Sequence, residues 1–113
     1  GGTPNTPGFI GLDASVRLLM EFGMEAISSR VNEISDLACQ RLTEIGAKVL
    51  SHRDGEHRSG IVAFDPPHGD PEAVRQACLE QGVALSCRGG RLRISPHAYN
   101  DASDIERLID VLR

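Results

Sequence analysis

The sequence predicts an α+β fold, with two N-terminal helices followed by a ββαββα two-layer sandwich built on a small, mostly antiparallel sheet. Three observations support this fold class. Apolar residues recur at helical spacing through residues 9–45, with an interruption at Gly23. Short apolar runs then come in two hairpin-like pairs, and a helical segment follows each pair. In the last run Leu92 and Ile94 alternate with Arg91 and Arg93, so the two kinds of side chain should lie on opposite faces of a strand.

The two N-terminal helices are predicted over about 9–22 and 25–45, after an opening loop rich in Gly and Pro. The apolar stripe of the first helix comprises Leu12, Ser15, Leu18, Leu19 and Phe22. That of the second comprises Ile27, Val31, Ile34, Ala38, Leu42 and Ile45. Gly46 then provides a natural C-terminal cap.

The ββαββα part begins with short strands predicted over 48–50 and 61–64. Asp70 and Pro71 are typical of a helix N-terminus, and this third helix should end near Gln81. Two further strands are expected over 83–86 and 91–95, joined by the link Cys-Arg-Gly-Gly at 87–90. The last helix is predicted over 102–112, with Ser103 and Glu106 as the candidate pair for a capping box.

Composition favours one globular domain of 113 residues in a reducing, cytoplasmic environment. The net charge of −4 and the 4% aromatic content speak against nucleic acid as a partner. No apolar run approaches a membrane span, and no signal peptide is expected. Cys39, Cys78 and Cys87 have the number and spacing of reduced thiols.

Three segments carry a resemblance to a known family: "GGTPNTPGFIGLDASVRLL", "SGIVAF" and "RGGRLRISPHAYNDASDIERL". Together they resemble the C-terminal part of class V aminotransferases. These are fold-type I pyridoxal phosphate enzymes, a group that includes cysteine desulfurases, isopenicillin-N epimerase-like proteins and kynureninases. The resemblance extends over essentially the whole chain.

The resemblance implies roles for four residues. Thr3, with Gly2 before it, matches the loop that contacts the cofactor phosphate of the neighbouring subunit, which implies a homodimer. Arg93 matches the arginine that binds the α-carboxylate of an amino-acid substrate, a role that suits a planar guanidinium. Arg88, in the adjacent link, is expected to face the same cleft as a second substrate-binding residue.

The catalytic parts of such an enzyme are not expected in this chain. Pyridoxal phosphate chemistry requires a Schiff-base lysine, which the family keeps in an upstream large domain. Lys48 is the single lysine here and has no activating surroundings in the sequence. We therefore expect residues 1–23 to be an active-site loop and connecting helix, and residues 24–113 a small C-terminal domain. This domain should be inactive alone, and pyridoxal 5'-phosphate should be bound only in the full-length enzyme.

Several alternatives remain open. Arg91 is expected to be a solvated strand arginine. Cys87 precedes Arg93 as the persulfide cysteine of a desulfurase does, but the link offers room for little more than a turn, which favours the epimerase-like or aminotransferase-like branches. The chain could also be a freestanding ββαββα module that binds a small ligand or a protein, or a purely structural dimerisation domain.

Other residues receive structural expectations. Cys39 and Cys78 should belong to the core, and His97 and Tyr99 should cap and pack the turn before the last helix. No metal site is expected, because His52, His57 and His68 lack the spacing of ligands. The first helix should leave its apolar face partly uncovered, since in the family this segment lies against the large domain.

Overall fold

Capping and turn residues divide the chain into helices and strands whose order confirms the predicted α+β fold. The computed structural model describes residues 2–113. Its helices are α1 (Thr6–Phe22), α2 (Met24–Glu44), α3 (Pro71–Glu80) and α4 (Ala102–Leu112). Its strands are β1 (Lys48–Val49), β2 (Val62–Asp65), β3 (Ser86–Arg88) and β4 (Arg91–Ile94), with a short 3-10 turn at Gly55–His57. Within the described residues, no helix is long and apolar enough to cross a membrane.

Helix α1 begins earlier than the sequence pattern predicted. The side chain of Asn5 accepts a hydrogen bond from the backbone N–H of Gly8 at 3.1 Å, and Pro7 lies in the first turn, so the helix starts at Thr6 rather than near Phe9. Gly23, with a φ of 83°, separates α1 from α2. The expected start near Phe9 was wrong because apolar periodicity does not register a capping residue that precedes it.

The N-caps of α3 and α4 are aspartates. Asp70 accepts hydrogen bonds from the N–H groups of Glu72 and Ala73, as predicted for the start of α3. Helix α4 has its predicted bounds, but its capping box is formed by Asp101 and Asp104. The expected pair, Ser103 and Glu106, was wrong because Asp101 already occupies the N-cap position and accepts from the Ser103 N–H at 2.8 Å.

The sheet is antiparallel throughout, with the order β1-β2-β4-β3. Strand β3 lies at Ser86–Arg88, so the prediction of a strand over 83–86 was wrong. The link is shorter than expected: Gly89 and Gly90 both have positive φ, 57° and 72°, and form a two-residue turn. Residues 87 and 88 therefore belong to strand β3 and pair with β4. Strand β2 lies one residue later than predicted.

The core lies between the sheet and helices α2, α3 and α4. Its strand residues are Val62, Phe64, Leu92 and Ile94, all buried, and its helix residues include Ile34, Leu42, Cys78, Ile105 and Ile109. The predicted alternation in β4 is confirmed, because the two apolar side chains face the helices. Cys78 is fully buried and Cys39 packs against the core, as expected. Helix α1 contacts α2 but has no buried residue.

Candidate functional site

Arg88, Arg91 and Arg93 belong to the last hairpin, formed by β3 and β4. They lie on the face of the sheet opposite the core, which we call the open face. In an antiparallel ladder, directly opposed residues lie on the same face. Arg93 is opposite Ser86 and Ala63, and Arg88 is opposite Arg91. Since residues two apart on a strand also share a face, all three arginines lie opposite the buried face of the hairpin. None of them is buried, so this face is accessible in the described chain.

Arg93 is half-buried and has an unsatisfied donor. Its Nε atom is buried from solvent and makes no hydrogen bond within residues 2–113, and no carboxylate lies within 4.0 Å of its guanidinium there. A buried donor of this kind is costly unless it finds an acceptor. The arrangement therefore suits an incoming anionic group.

Arg88 lies within strand β3 and not in a link, which corrects its expected location. It does lie on the same face of the sheet as Arg93. Arg91, directly opposite Arg88, has its Nε atom 4.0 Å from a carboxylate oxygen of Asp65, at the limit of an ion pair. The open face is therefore rich in guanidinium groups and poor in carboxylates.

The loop after β4 is held by Asn100, which the sequence analysis did not single out. Its side-chain oxygen accepts from the His97 N–H at 2.8 Å, and its amide donates to Asp104 at 2.8 Å. Arg30 of α2 donates to the backbone carbonyl of Asn100 at 3.3 Å. An Asn one residue before a helix N-cap was the available signal. These contacts connect the end of the Arg93 strand to both α4 and α2.

The expected roles of His97 and Tyr99 in this loop need correction. Their rings stack on each other with centroids 4.5 Å apart, and Tyr99 is 81% exposed. The cap of α4 is Asp101, and Asn100 closes the turn. The two aromatic rings instead border a depression of about 500 Å³ whose other wall includes Leu18, Leu19 and Phe22.

The opening loop lies at the N-terminal end of α1. Gly2 and Thr3 are exposed, and the Thr3 hydroxyl makes no hydrogen bond within the described residues. They precede the N-terminus of α1, whereas the C-terminal half of α1 borders the loop after β4. A helix of 17 residues is about 25 Å long. Thr3 is therefore separated by most of the length of α1 from the part of the helix that borders the loop after β4.

Cys87 lies on the opposite side of the hairpin from the arginines. It is directly across from the buried Leu92 and packs against the core. Burial raises the pKa of its thiol, and Glu72 raises the pKa further. A thiolate at neutral pH is disfavoured at this position.

The remaining candidate residues show no assembled site. Lys48 is exposed on β1 opposite Asp65, at the edge of the sheet, and does not line the depression beside His97 and Tyr99. The rings of His52 and His57 lie 6.4 Å apart. In the part of the chain that the structure describes, no three His, Cys, Asp or Glu side chains form a group that could hold a metal ion.

The chain matches the family model "Aminotransferase class-V" over residues 1–108. A "probable cysteine desulfurase" of Pyrococcus abyssi is 25% identical over 124 residues, which cover 98% of this chain and 31% of that protein. A second, from Halalkalibacterium halodurans, is 28% identical and covers 96% of this chain and 29% of its own length. The chain thus spans about a third of the length of these relatives.

Solved structures share the fold. The apo cysteine desulfurase of Thermococcus onnurineus superposes with a TM-score of 0.88 at 23% identity, over 98% of this chain and 31% of that one. The cystine C-S lyase C-DES, solved with its reaction product cysteine persulfide, gives a TM-score of 0.85 at 23% identity, over 98% and 30%. Fold and sequence together define a small α+β domain of the kind found in fold-type I pyridoxal phosphate enzymes. The chain belongs to the aminotransferase class-V family.

Proposed function

We propose that this chain is the substrate-carboxylate domain of a pyridoxal-phosphate-dependent enzyme that acts on an amino acid. Arg93 binds the α-carboxylate, Arg88 lines the same cleft, and Gly2 and Thr3 contact the cofactor phosphate in the neighbouring subunit of a homodimer. The observation that carries the proposal is Arg93, whose buried Nε has no hydrogen-bond partner among residues 2–113 and lies on the open sheet face of a class-V domain.

The geometry favours carboxylate binding and phosphate contact by residues of different subunits. Thr3 precedes the N-terminal end of α1, whereas the loop that follows the Arg93 strand borders the C-terminal half of α1, which favours roles for the two residues in different subunits. In a dimer, the opening loop of each copy would contact the cofactor phosphate of the other copy, and both roles would be filled. Thr3 fits a phosphate because its hydroxyl is exposed and unbonded within the described residues.

The described residues fit a supporting role toward the cofactor. Pyridoxal phosphate supplies an electron sink for bond cleavage at the substrate's α-carbon and needs a lysine that this chain does not offer, since Lys48 lies exposed at the sheet edge. Arg93 would orient the amino acid by two parallel hydrogen bonds to its carboxylate, which fixes the α-carbon in one position. Asn100 and Arg30 hold the loop that ends this strand.

Desulfurase chemistry through Cys87 is a weaker alternative. The relatives named above are cysteine desulfurases, but their alignment spans 124 positions against 113 residues in the whole chain, so the relative contains at least 11 additional residues. Cys87 also faces the core, and the pKa of its thiol is raised by burial. We favour a branch of the family that does not carry sulfur on this cysteine.

The test uses the full-length protein that carries this chain, loaded with cofactor. Borohydride reduction should trap pyridoxal on one lysine outside the present sequence, and calorimetry should detect amino-acid binding. Arg93→Ala should weaken that binding by roughly 2–5 kcal/mol, or at least about thirtyfold, because the carboxylate loses its charged partner. Arg113→Ala, an exposed arginine at the far end of α4, is the control and should change nothing.

Two results would contradict the proposal. If the protein takes up no cofactor, the freestanding ββαββα binding module becomes the better reading. If the cofactor is trapped but Arg93→Ala binds amino acids as well as the wild type does, another residue binds the carboxylate. Thermal unfolding of each variant checks that the fold is intact.

A further inference from the structure

Most arginines of this chain are paired with a carboxylate. Those with an ion pair no longer than 3.3 Å are Arg17, Arg30, Arg41, Arg53, Arg58, Arg75 and Arg113. The exceptions within the described residues are Arg88, Arg91, Arg93 and Arg107, of which only Arg91 approaches a carboxylate, at 4.0 Å. Three of these exceptions share the open face of the last hairpin. The lack of partners is therefore concentrated on one surface.

The pairing of Arg88 with Arg91 adds to this concentration. Their Cα atoms are direct partners across the β3–β4 ladder, and like charges directly opposite each other destabilise a sheet. Asp65 reduces this repulsion little, because its carboxylate lies 4.0 Å from Arg91, at the limit of an ion pair. Water also screens the interaction, since the side chain of Arg91 is 60% exposed and that of Asp65 is 44% exposed. An anion bound between the two guanidinium groups would remove the repulsion.

We propose that Arg88 and Arg91 bind a second anionic group of the substrate, so that the enzyme acts on acidic amino acids. The inference rests on the proposed function, in which Arg93 binds the α-carboxylate. Residues 91 and 93 lie about 7 Å apart along β4. Long arginine side chains at that spacing reach two anionic groups of one small molecule. A carboxylate, or a group of similar shape and charge, at the end of a short side chain fits this pair.

The substrate is favoured over a protein partner by continuity with Arg93. The arginine pair adjoins the residue whose buried Nε lacks an acceptor, so the two anion sites form one surface. Carboxylates of another domain of the same protein are the competing occupants. The experiment separates the two, because an interdomain ion pair affects stability and a substrate site affects selectivity.

The experiment measures amino-acid selectivity by calorimetry on the cofactor-loaded full-length protein. Aspartate and glutamate are compared with alanine for the wild type, Arg88→Gln and Arg91→Gln. The wild type should bind one of the acidic amino acids at least about tenfold more tightly than alanine. Each variant should lose most of that preference, and Arg91→Gln, which has no part in binding the α-carboxylate, should keep its alanine affinity within about twofold. Arg107→Gln, the remaining arginine without an ion pair, lies on α4 and should keep the preference.

Other results would overturn the inference. A wild type with no preference for acidic amino acids, or variants that keep the preference, would remove the second anion site. A lowered Tm with unchanged selectivity would assign the pair to an interdomain contact. Arg88→Met and Arg91→Met, which keep most of the side-chain length and remove the charge, replace the glutamine variants if those do not fold. Failure of the proposed function would give a different result. In that case no amino acid would bind, or Arg93→Ala would bind both alanine and the acidic amino acids as the wild type does.

Discussion

Arg93 and Cys87 lie on opposite faces of the β3–β4 hairpin, which separates a proposed site residue from a residue that packs against the core. Leu92, the neighbour of Arg93, is fully buried, and Cys87 is its direct partner across the hairpin. Arg93 therefore faces the open surface, and Cys87 faces the helices. Cys87 precedes Arg93 in the sequence, as the persulfide cysteine of a desulfurase precedes its arginine, but the side-chain period of two places these two side chains on opposite faces of the hairpin.

At the residue scale, the proposed function predicts that Cys87→Ala leaves amino-acid turnover by the full-length protein within about twofold of the wild type, because a thiol with a raised pKa that faces the core is a poor nucleophile at neutral pH. Product formation from cysteine and from the best acidic amino acid is the measurement. Arg93→Ala serves as the variant that must lose activity. Loss of sulfur transfer in a folded Cys87→Ala protein would show that the thiol moves to the other face during catalysis.

Helix α2 supports the site at the element scale. Its Arg30 contacts the backbone of the loop after β4, and its Arg41 binds Glu106 of α4 with two hydrogen bonds, at 2.7 and 2.8 Å. The hydrogen bonds from Arg41 lower the pKa of Glu106. The helix thus holds both the loop that ends the Arg93 strand and the helix that follows it.

This ion pair predicts a pH dependence of stability. Because pairing lowers the pKa of Glu106, its stabilisation is complete above the ordinary carboxyl range and is lost as the pH falls through the lowered value. Glu106→Gln should therefore have a lower Tm than the wild type at pH 7, and the difference should shrink between about pH 5 and pH 3. Circular dichroism melts across this range provide the test.

Glu21→Gln is the matched control, since Glu21 is exposed on α1 and has no ion pair within the described residues. Its Tm should follow that of the wild type at every pH. A gap between the wild type and Glu106→Gln that stays constant down to pH 3 would show that the carboxylate of Glu106 does not stabilise the fold through its charge.

The placement of strand β3 shows what local patterns cannot predict. Val83, Ala84 and Leu85 form the more apolar run, yet the ladder uses Ser86–Arg88. Two glycines with positive φ make the turn as short as possible, and the Val83 N–H bonds to the Cys78 carbonyl at the end of α3. Turn geometry and the end of a helix therefore decided the register, and strand propensity did not.

At the scale of the whole molecule, helix α1 carries most of the large apolar side chains that are exposed. Phe9, Ile10, Met20 and Phe22 of this helix are each more than 60% exposed, which confirms the expectation of an uncovered apolar face. The particle is elongated, with principal extents of 47, 32 and 25 Å. An apolar surface of this size favours association with another surface.

We therefore expect residues 1–113 alone to self-associate as the concentration rises. Light scattering at several concentrations should show an increasing mass. Leu18→Glu with Phe22→Glu, which charges the depression beside Tyr99, should shift the association toward monomer. Met20→Glu, equally exposed but outside that depression, should have a smaller effect. A strictly monomeric wild type at high concentration would contradict the prediction.

The sequence by itself determined the order of the elements and the positions of the third and fourth helices. It also determined that Leu92 and Arg93 lie on opposite faces of β4, and it identified the family. These depend on local periodicity, caps and short motifs, which neighbouring residues specify. Only the tertiary structure decided that Arg88 and Arg91 are directly opposed, that Cys87 faces the core, and that Asn100 fastens the loop to α2. The first two facts depend on the hairpin register, which the Gly89–Gly90 turn and the end of α3 set together, and the third depends on a contact between Arg30 and Asn100, which are 70 residues apart in the chain.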